Sequence, residues 1–188
     1  NTTAKYNAAF GSSTLTANVT GTQNSAFGYS ALKCNTCGGY NVAVGTSSMY
    51  FNTTGIKNTA VGHTTLTCNT TGNYNTAIGN KALCCNTTGV NNTAVGRTSL
   101  YNNTTGVGNV ALGMEALYSN TTASYNTAVG HCALRTNSTG AKNTAVGQAA
   151  LKSSTTSNYN AAFGYQTLHA NTTGVQNTAS GAYSMYDN

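Results

Sequence analysis

Apolar and polar residues follow one another along this chain in a pattern that closes every 17 residues. Counted from the Asn of each Asn-x-Ala triplet, the unit reads N-T-A-V-G-x-x-A-L-x-x-N-T-T-G-x-x. The triplet opens at Asn7, Asn24, Asn41, Asn58, Asn75, Asn92, Asn109, Asn126, Asn143, Asn160 and Asn177, with no insertion or deletion between. The 188 residues are eleven units of 17 plus one residue. Position 3 of the unit is Ala in all eleven copies, Ala9 to Ala179, and position 5 is Gly in all eleven, Gly11 to Gly181. Position 9 is Leu in nine copies and Met in two, Met49 and Met185. Position 4 is apolar in ten copies, with Ser180 the exception. Position 15 is mostly Gly, replaced by Ala4, Ala123 and Ser157.

A short, partly β-branched N-T-A-V segment bounded by Gly predicts a strand, and A-L-x-x predicts a second. The segments around the glycines predict turns. An invariant Gly fits a backbone with positive φ or a close approach. Helical repeats need about 34 residues for two helices, and Gly and Asn-Thr-Thr in every unit work against them. The reading is an all-β parallel β-solenoid (β-roll), with one 17-residue coil per repeat, about 11 coils, and a single domain over residues 1–188. Stacking at ~4.8 Å per coil gives a rod on the order of 50 Å long. Positions 4 and 9 are expected to supply its narrow core.

Composition narrows the function. Glu115 and Asp187 are the only two acids, so paired-carboxylate chemistry and a carboxylate-rich calcium cage are not available within one chain. Only 5% of residues are charged, against about 25% in ordinary domains. The net charge of +6 is dispersed, and no Lys/Arg run suggests nucleic acid. No apolar stretch approaches the roughly 18 residues of a membrane span, and no signal peptide opens the chain. Every charged residue, all three histidines and all twelve tyrosines lie at positions 6, 7, 10, 11, 16 and 17, which are therefore expected to face outward. Tyr recurs at position 17 as Tyr6, Tyr40, Tyr74, Tyr125 and Tyr159, candidate surface contacts along one edge. Outward residues change from coil to coil without converging on a site, so no enzyme, no cofactor and no metal is expected.

At its N-T-A-V-G residues the chain resembles the head repeats of trimeric autotransporter adhesins of the YadA type. It is also similar to N-T-A-V-G…N-T-T-G arrays of phage and viral tail-fibre-like proteins. The resemblance runs over all 188 residues. It implies a left-handed roll with the position-2 Thr and position-4 Val pointing inward. It also implies a position-3 Ala that faces neighbouring chains around a three-fold axis.

Position 12 opens an N-glycosylation sequon at Asn1, Asn18, Asn52, Asn69, Asn86, Asn103, Asn120, Asn137 and Asn171, and Asn91 and Asn102 open two more. The competing reading is structural, because Asn caps turns and stacks into hydrogen-bonded ladders. For position 1 a ladder is the expectation. Cys68 and Cys85 share position 11 of consecutive coils, where stacking brings Cα atoms within about 5 Å, inside the disulfide range. Cys34 and Cys37, spaced C-x-x-C, form a second candidate bridge. Such bridges suit an extracellular, virion or cell-surface setting. His63 and His131 share position 6 four coils apart, too far for one metal ion.

The functional expectation is an extracellular structural repeat protein that assembles into filaments or shafts by coil stacking. The partner is then the chain itself, head to tail, in a lateral homotrimer, or both. Asn1 and Asn188 fall at the same position of the unit and no polar cap is present, which favours head-to-tail addition. One alternative is an adhesin or tail-fibre shaft that binds a surface receptor or glycan. Another is an ice-binding solenoid, from its threonine rows.

Overall fold

A computed structural model describes residues 3–187 of the chain. Eleven three-residue strands recur every 17 residues, from β1 (Ala8–Phe10) through β6 (Thr93–Val95) to β11 (Thr178–Ser180). Each pairs in parallel only with the strand before and after it, making one eleven-stranded sheet. The register never slips: Ala9 sits beside Ala26, and Ala94 beside Ala111. The fold is a parallel β-solenoid with one coil per repeat. No helix among the described residues is long and apolar enough to cross a membrane.

Two local expectations are corrected. The A-L-x-x segment is not a second strand but a run of turns. The backbone is left-handed just before it at position 7 and within it at position 9, as at Thr98 (φ 53°) and Leu100 (φ 50°). A third left-handed residue stands at position 17, for example Tyr125 (φ 61°). Left-handed backbone costs roughly 1–2 kcal/mol for a residue with a Cβ. Burying the Leu side chain returns about 1.5–3 kcal/mol, which offsets the cost at position 9. The curvature follows from size, because a 17-residue circuit encloses one large side chain per coil and cannot run straight for long.

The second correction concerns which way the strand faces. The position-3 alanines point inward, and Ala26 to Ala162 along that row are fully buried. Positions 2 and 4 point outward, so Val44 and Ile78 lie on the surface. This is the reverse of what the adhesin resemblance implies. Strand side chains alternate between faces, and the Leu of position 9 leaves room for only a methyl opposite. Ala is invariant at position 3 because of that internal limit, not because a neighbouring chain presses on it.

The interior has an apolar half and a polar half. The apolar half is the position-9 Leu/Met row with the small residues of positions 3 and 8. The polar half is two columns of asparagine at positions 1 and 12, buried from coil to coil. Along the position-12 column the Asn35 Nδ2 donates to Asn18 Oδ1, and the Asn52 Nδ2 donates to Asn35 Oδ1, each at 2.8 Å. Along the position-1 column the Asn41 backbone N–H donates to Asn24 Oδ1 at 3.0 Å. The columns meet at the position-15 carbonyl: Gly38 O accepts from Asn24 Nδ2 at 2.8 Å and from Asn35 Nδ2 at 2.9 Å. The ladder expected at position 1 is present, and position 12 forms a second.

The position-12 column has one fault. Ser154 stands where an Asn would donate to Asn137, and Asn137 Oδ1 is the one buried side-chain polar atom without a partner among the described residues. Ser154 bonds instead to Ser157, which occupies the usual Gly position. The double change Ser154→Asn with Ser157→Gly is expected to restore the column and satisfy that acceptor. Satisfying a buried acceptor recovers about 1–3 kcal/mol, or several degrees in melting temperature for a chain of this size. Thermal unfolding followed by circular dichroism measures it; an unchanged or lower midpoint contradicts the assignment.

Candidate functional site

No single cleft collects chemistry on this rod, and no cavity is found among the described residues. Its surface is a set of rows, each repeating one position at every coil. Function has to be read from those rows.

The position-17 tyrosines are on the surface as expected, from Tyr6 at 82% exposure to Tyr74 at 51%. Each stands on left-handed backbone. Lysines fill gaps in the row. The Lys57 Nζ lies 5.2 Å from the Tyr74 ring centroid and 6.0 Å from that of Tyr40, and Lys142 stands 5.2 Å from Tyr159. These are cation–π distances. Tyr40 and Tyr74 are two coils apart, roughly 10 Å by the strand spacing.

Stacking also joins residues that the sequence pattern did not single out. Glu115 Oε2 accepts from Arg135 Nε at 2.7 Å, and Arg97 stands 3.9 Å from its other oxygen. The Arg135 hydrogen bond holds the Glu115 carboxyl below its usual range. Arg135 also covers the Tyr118 ring, which stacks on Tyr101 at 5.4 Å. Cys132 Sγ sits 3.3 Å from His131 Nε2 and 3.7 Å from Glu115 Oε2. Burial and the Glu115 charge push the Cys132 thiol up, the opposite of nucleophile activation. A sequence signal for this group existed only in the offsets of 17 and 20 residues, which acquire meaning once the coils are known to stack.

Neither expected disulfide is formed in the structure, where all six cysteines are thiols. Cys84 neighbours Cys68, whose backbone N–H donates to its carbonyl at 2.9 Å, and its thiol influences those of Cys68 and Cys85. Its thiol is pushed up by donating to Cys85, whose own pKa is lowered to about 7 by that bond. Cys37 is exposed and held below the usual thiol range by the Thr20 and Thr36 hydroxyls. No group of three or more His, Cys, Asp or Glu among the described residues could hold a metal ion. His63 contacts Asn80 and Thr64, and His169 stacks on Tyr186 at 4.9 Å.

The sequons divide by position. Asn18, Asn52, Asn69, Asn86, Asn103, Asn120, Asn137 and Asn171 are buried, the first seven with their amides in the ladder and Asn171 with its amide on the Gly174 carbonyl, and Asn1 lies outside the described residues. Asn91 is exposed and Asn102 half-buried. A glycan on a position-12 amide is incompatible with a closed coil. Expressed through a glycosylating secretory route, the folded fraction is expected to carry sugar, among the sequons of the described residues, only at Asn91 and Asn102. Glycopeptide mass spectrometry checks this; sugar on Asn86 or Asn103 of folded protein contradicts it.

The Thr-Thr pair is divided too. The position-13 hydroxyl is tied down, as Thr53 Oγ1 donates to the Thr70 carbonyl of the next coil at 3.0 Å. Position 14 is exposed in every coil from Thr54 to Thr173. The other row that sequence reading placed wrongly is position 4, an outward apolar line. Parity alone would have found it, given an inward Ala at position 3.

The geometry thus defines a class by fold, a single-sheet parallel β-solenoid with row-wise surfaces. Compared with protein-family models, curated proteins and solved structures, the chain finds no match.

Proposed function

We propose that the chain is a structural shaft, an extracellular or particle-surface β-solenoid that extends by coil stacking. The observation that supports it most is the sameness of the bonding between coils. Position 2 donates to the position-1 carbonyl of the next coil, and position 7 to the position-6 carbonyl of the previous one, along the whole rod, as at Thr93 to Asn109 and Thr98 to Asn80. Such a contact is heterologous and has no built-in stop, so it continues within a longer chain or between chains. The partner in this reading is another copy of the same coil.

Electron microscopy of the purified chain over a concentration series tests it. Filaments of constant width that lengthen with concentration are expected. Single rods of unchanged length at the highest concentration would overturn self-assembly.

Two further readings have particular support. The Tyr–Lys row favours a receptor- or glycan-binding shaft of the adhesin or tail-fibre kind, since aromatic rings offer apolar faces with polar tips. Glycan-array binding that is lost on Tyr40→Ala with Tyr74→Ala would support it. The exposed position-14 threonines favour ice binding, for which thermal hysteresis is the assay.

A further inference from the structure

The outer face of the sheet is an unpartnered apolar strip. Position 4 contributes Phe10, Phe27, Val44, Val61, Ile78, Val95, Leu112, Val129, Val146 and Phe163 in one unbroken line. Among these, Phe10, Phe27, Ile78 and Phe163 are exposed at 40% or more. Position 2 adds a parallel line of Thr and Val, as at Thr59, Thr76, Thr93 and Val110. No charged residue occurs at positions 1 to 5 of any coil; charge is confined to positions 6, 7, 10, 11, 16 and 17, and the other uncharged row, at positions 12 to 15, presents threonine hydroxyls rather than apolar side chains.

We propose that this face pairs with the same face of a second copy of the chain, the two rods running antiparallel about a two-fold axis through Val95. The inference does not depend on end-to-end growth.

Three observations select that occupant. The first is pitch. The side chains form a comb with one tooth per ~4.8 Å strand spacing, and a partner that meshes with it over the whole face must have the same repeat. The second is charge. A partner must also be uncharged and apolar along its length, and the one strip of this chain that is both is the face itself, since the uncharged position-14 row is almost all threonine. The third is the order of sizes. Read outward from Val95, the position-4 line is nearly a palindrome: Ile78 answers Leu112, Val61 answers Val129, Val44 answers Val146 and Phe27 answers Phe163. An antiparallel two-fold superimposes those pairs. Only the outermost pair, Phe10 with Ser180, is unmatched. Sheets in face contact separate toward their ends as they twist, and the large phenylalanines stand at those ends.

The area is sufficient. Eleven strands at ~4.8 Å and two outward side chains per strand give roughly 500 Å² per copy, or about 1,000 Å² in total. That meets the lower bound for a specific interface. It also matches the largest apolar patches found on monomers, which usually mark interaction sites.

The test compares the intact chain with two double variants by small-angle scattering and sedimentation. The expected species has twice the 19.2 kDa chain mass, a doubled cross-section and unchanged length. Ile78→Lys with Leu112→Lys places like charges opposite each other and is expected to give monomers with unchanged circular dichroism. Ile78→Lys with Leu112→Glu places opposite charges together only in the antiparallel arrangement and is expected to remain paired. A wild-type monomer at high concentration overturns the proposal, including one that shows thermal hysteresis or binds only an unrelated protein. Growth in length without thickening also overturns it, while leaving shaft assembly standing. Loss of pairing in both double variants overturns the antiparallel register.

Discussion

Alanine at Gly96 is expected to break the rod at its middle. Gly96 has φ of +131°, a region that side chains rarely adopt, and an added Cβ would lie 2.7 Å from the Gly113 carbonyl carbon and oxygen. The strain is one part of the cost, about 1–3 kcal/mol. Forced displacement of a neighbouring backbone is the other, again about 1–3 kcal/mol. Together they reach roughly 2–6 kcal/mol, a large part of the 5–15 kcal/mol that holds an ordinary domain folded. Each coil touches only its neighbours, so the damage should be local, as in other solenoids. Amide hydrogen exchange is expected to show lost protection in the coils flanking Gly96 and retained protection near Leu32 and Leu151. The control is Gly89→Ala at position 15. Its added Cβ would also be crowded, nearest to the Asn86 Oδ1 and 2.6 Å from the Gly106 oxygen, but its φ is not positive. The chain already accepts Ala123 at that position, where it is 4% exposed. A melting temperature lowered equally by both changes would refute the role assigned to the backbone conformation.

The second large effect is expected at Asn103, in the middle of the position-12 column. Its Nδ2 donates to Asn86 Oδ1 at 2.8 Å and to Gly106 O at 3.2 Å, while its Oδ1 accepts from Asn120 Nδ2 at 2.8 Å. Asn103→Ala removes all three bonds and leaves Asn86 Oδ1 buried without this donor. An orphaned buried group costs about 1–3 kcal/mol, and the other lost bonds about 1 kcal/mol each. A loss of about 3 kcal/mol is expected, against less than about 0.5 kcal/mol for Thr105→Ala at the exposed neighbouring row. Asn103→Asp separates bonding from packing, because it keeps the shape and replaces the donor with an oxygen. The charged form would face two acceptors in a buried column, so its folded pKa must rise above the unfolded value of about 3.9. A raised folded pKa means that the folded state holds the proton more tightly. The aspartate variant is then least destabilised below about pH 4 and loses stability as pH rises toward its folded pKa. Urea unfolding at several pH values measures this. A pH-independent deficit would show that the amide donor is not what position 12 supplies.

The 17-residue period predicted the solenoid class, while the reading of position 4 as core, shared by the residue pattern and the adhesin resemblance, inverted the strand. A one-residue change of phase turns every side chain to the opposite face, and the N-T-A-V segment reads plausibly both ways. Val is the more hydrophobic residue, which favours placing it inside. In the folded coil the deciding quantity is space: Leu of position 9 fills the interior, and only Ala fits across from it. The sequons read two ways for a related reason. Asn-Thr-Thr satisfies an acceptor pattern, yet what retains it is a buried amide ladder, a hydroxyl tied to the next coil and a following Gly that lets the carbonyl accept from two columns.

By itself the sequence determined the repeat length, the one-coil-per-repeat solenoid and the column at position 1. These depend on periodicity, and stacking at a fixed period brings equal positions together whatever their detailed conformation. Only the tertiary structure decided which face of the strand is inward, that A-L-x-x bends through left-handed Leu, and that Glu115, Arg135 and Cys132 meet. Those outcomes depend on the volume enclosed by 17 residues and on contacts between coils, and neither is written in any single unit.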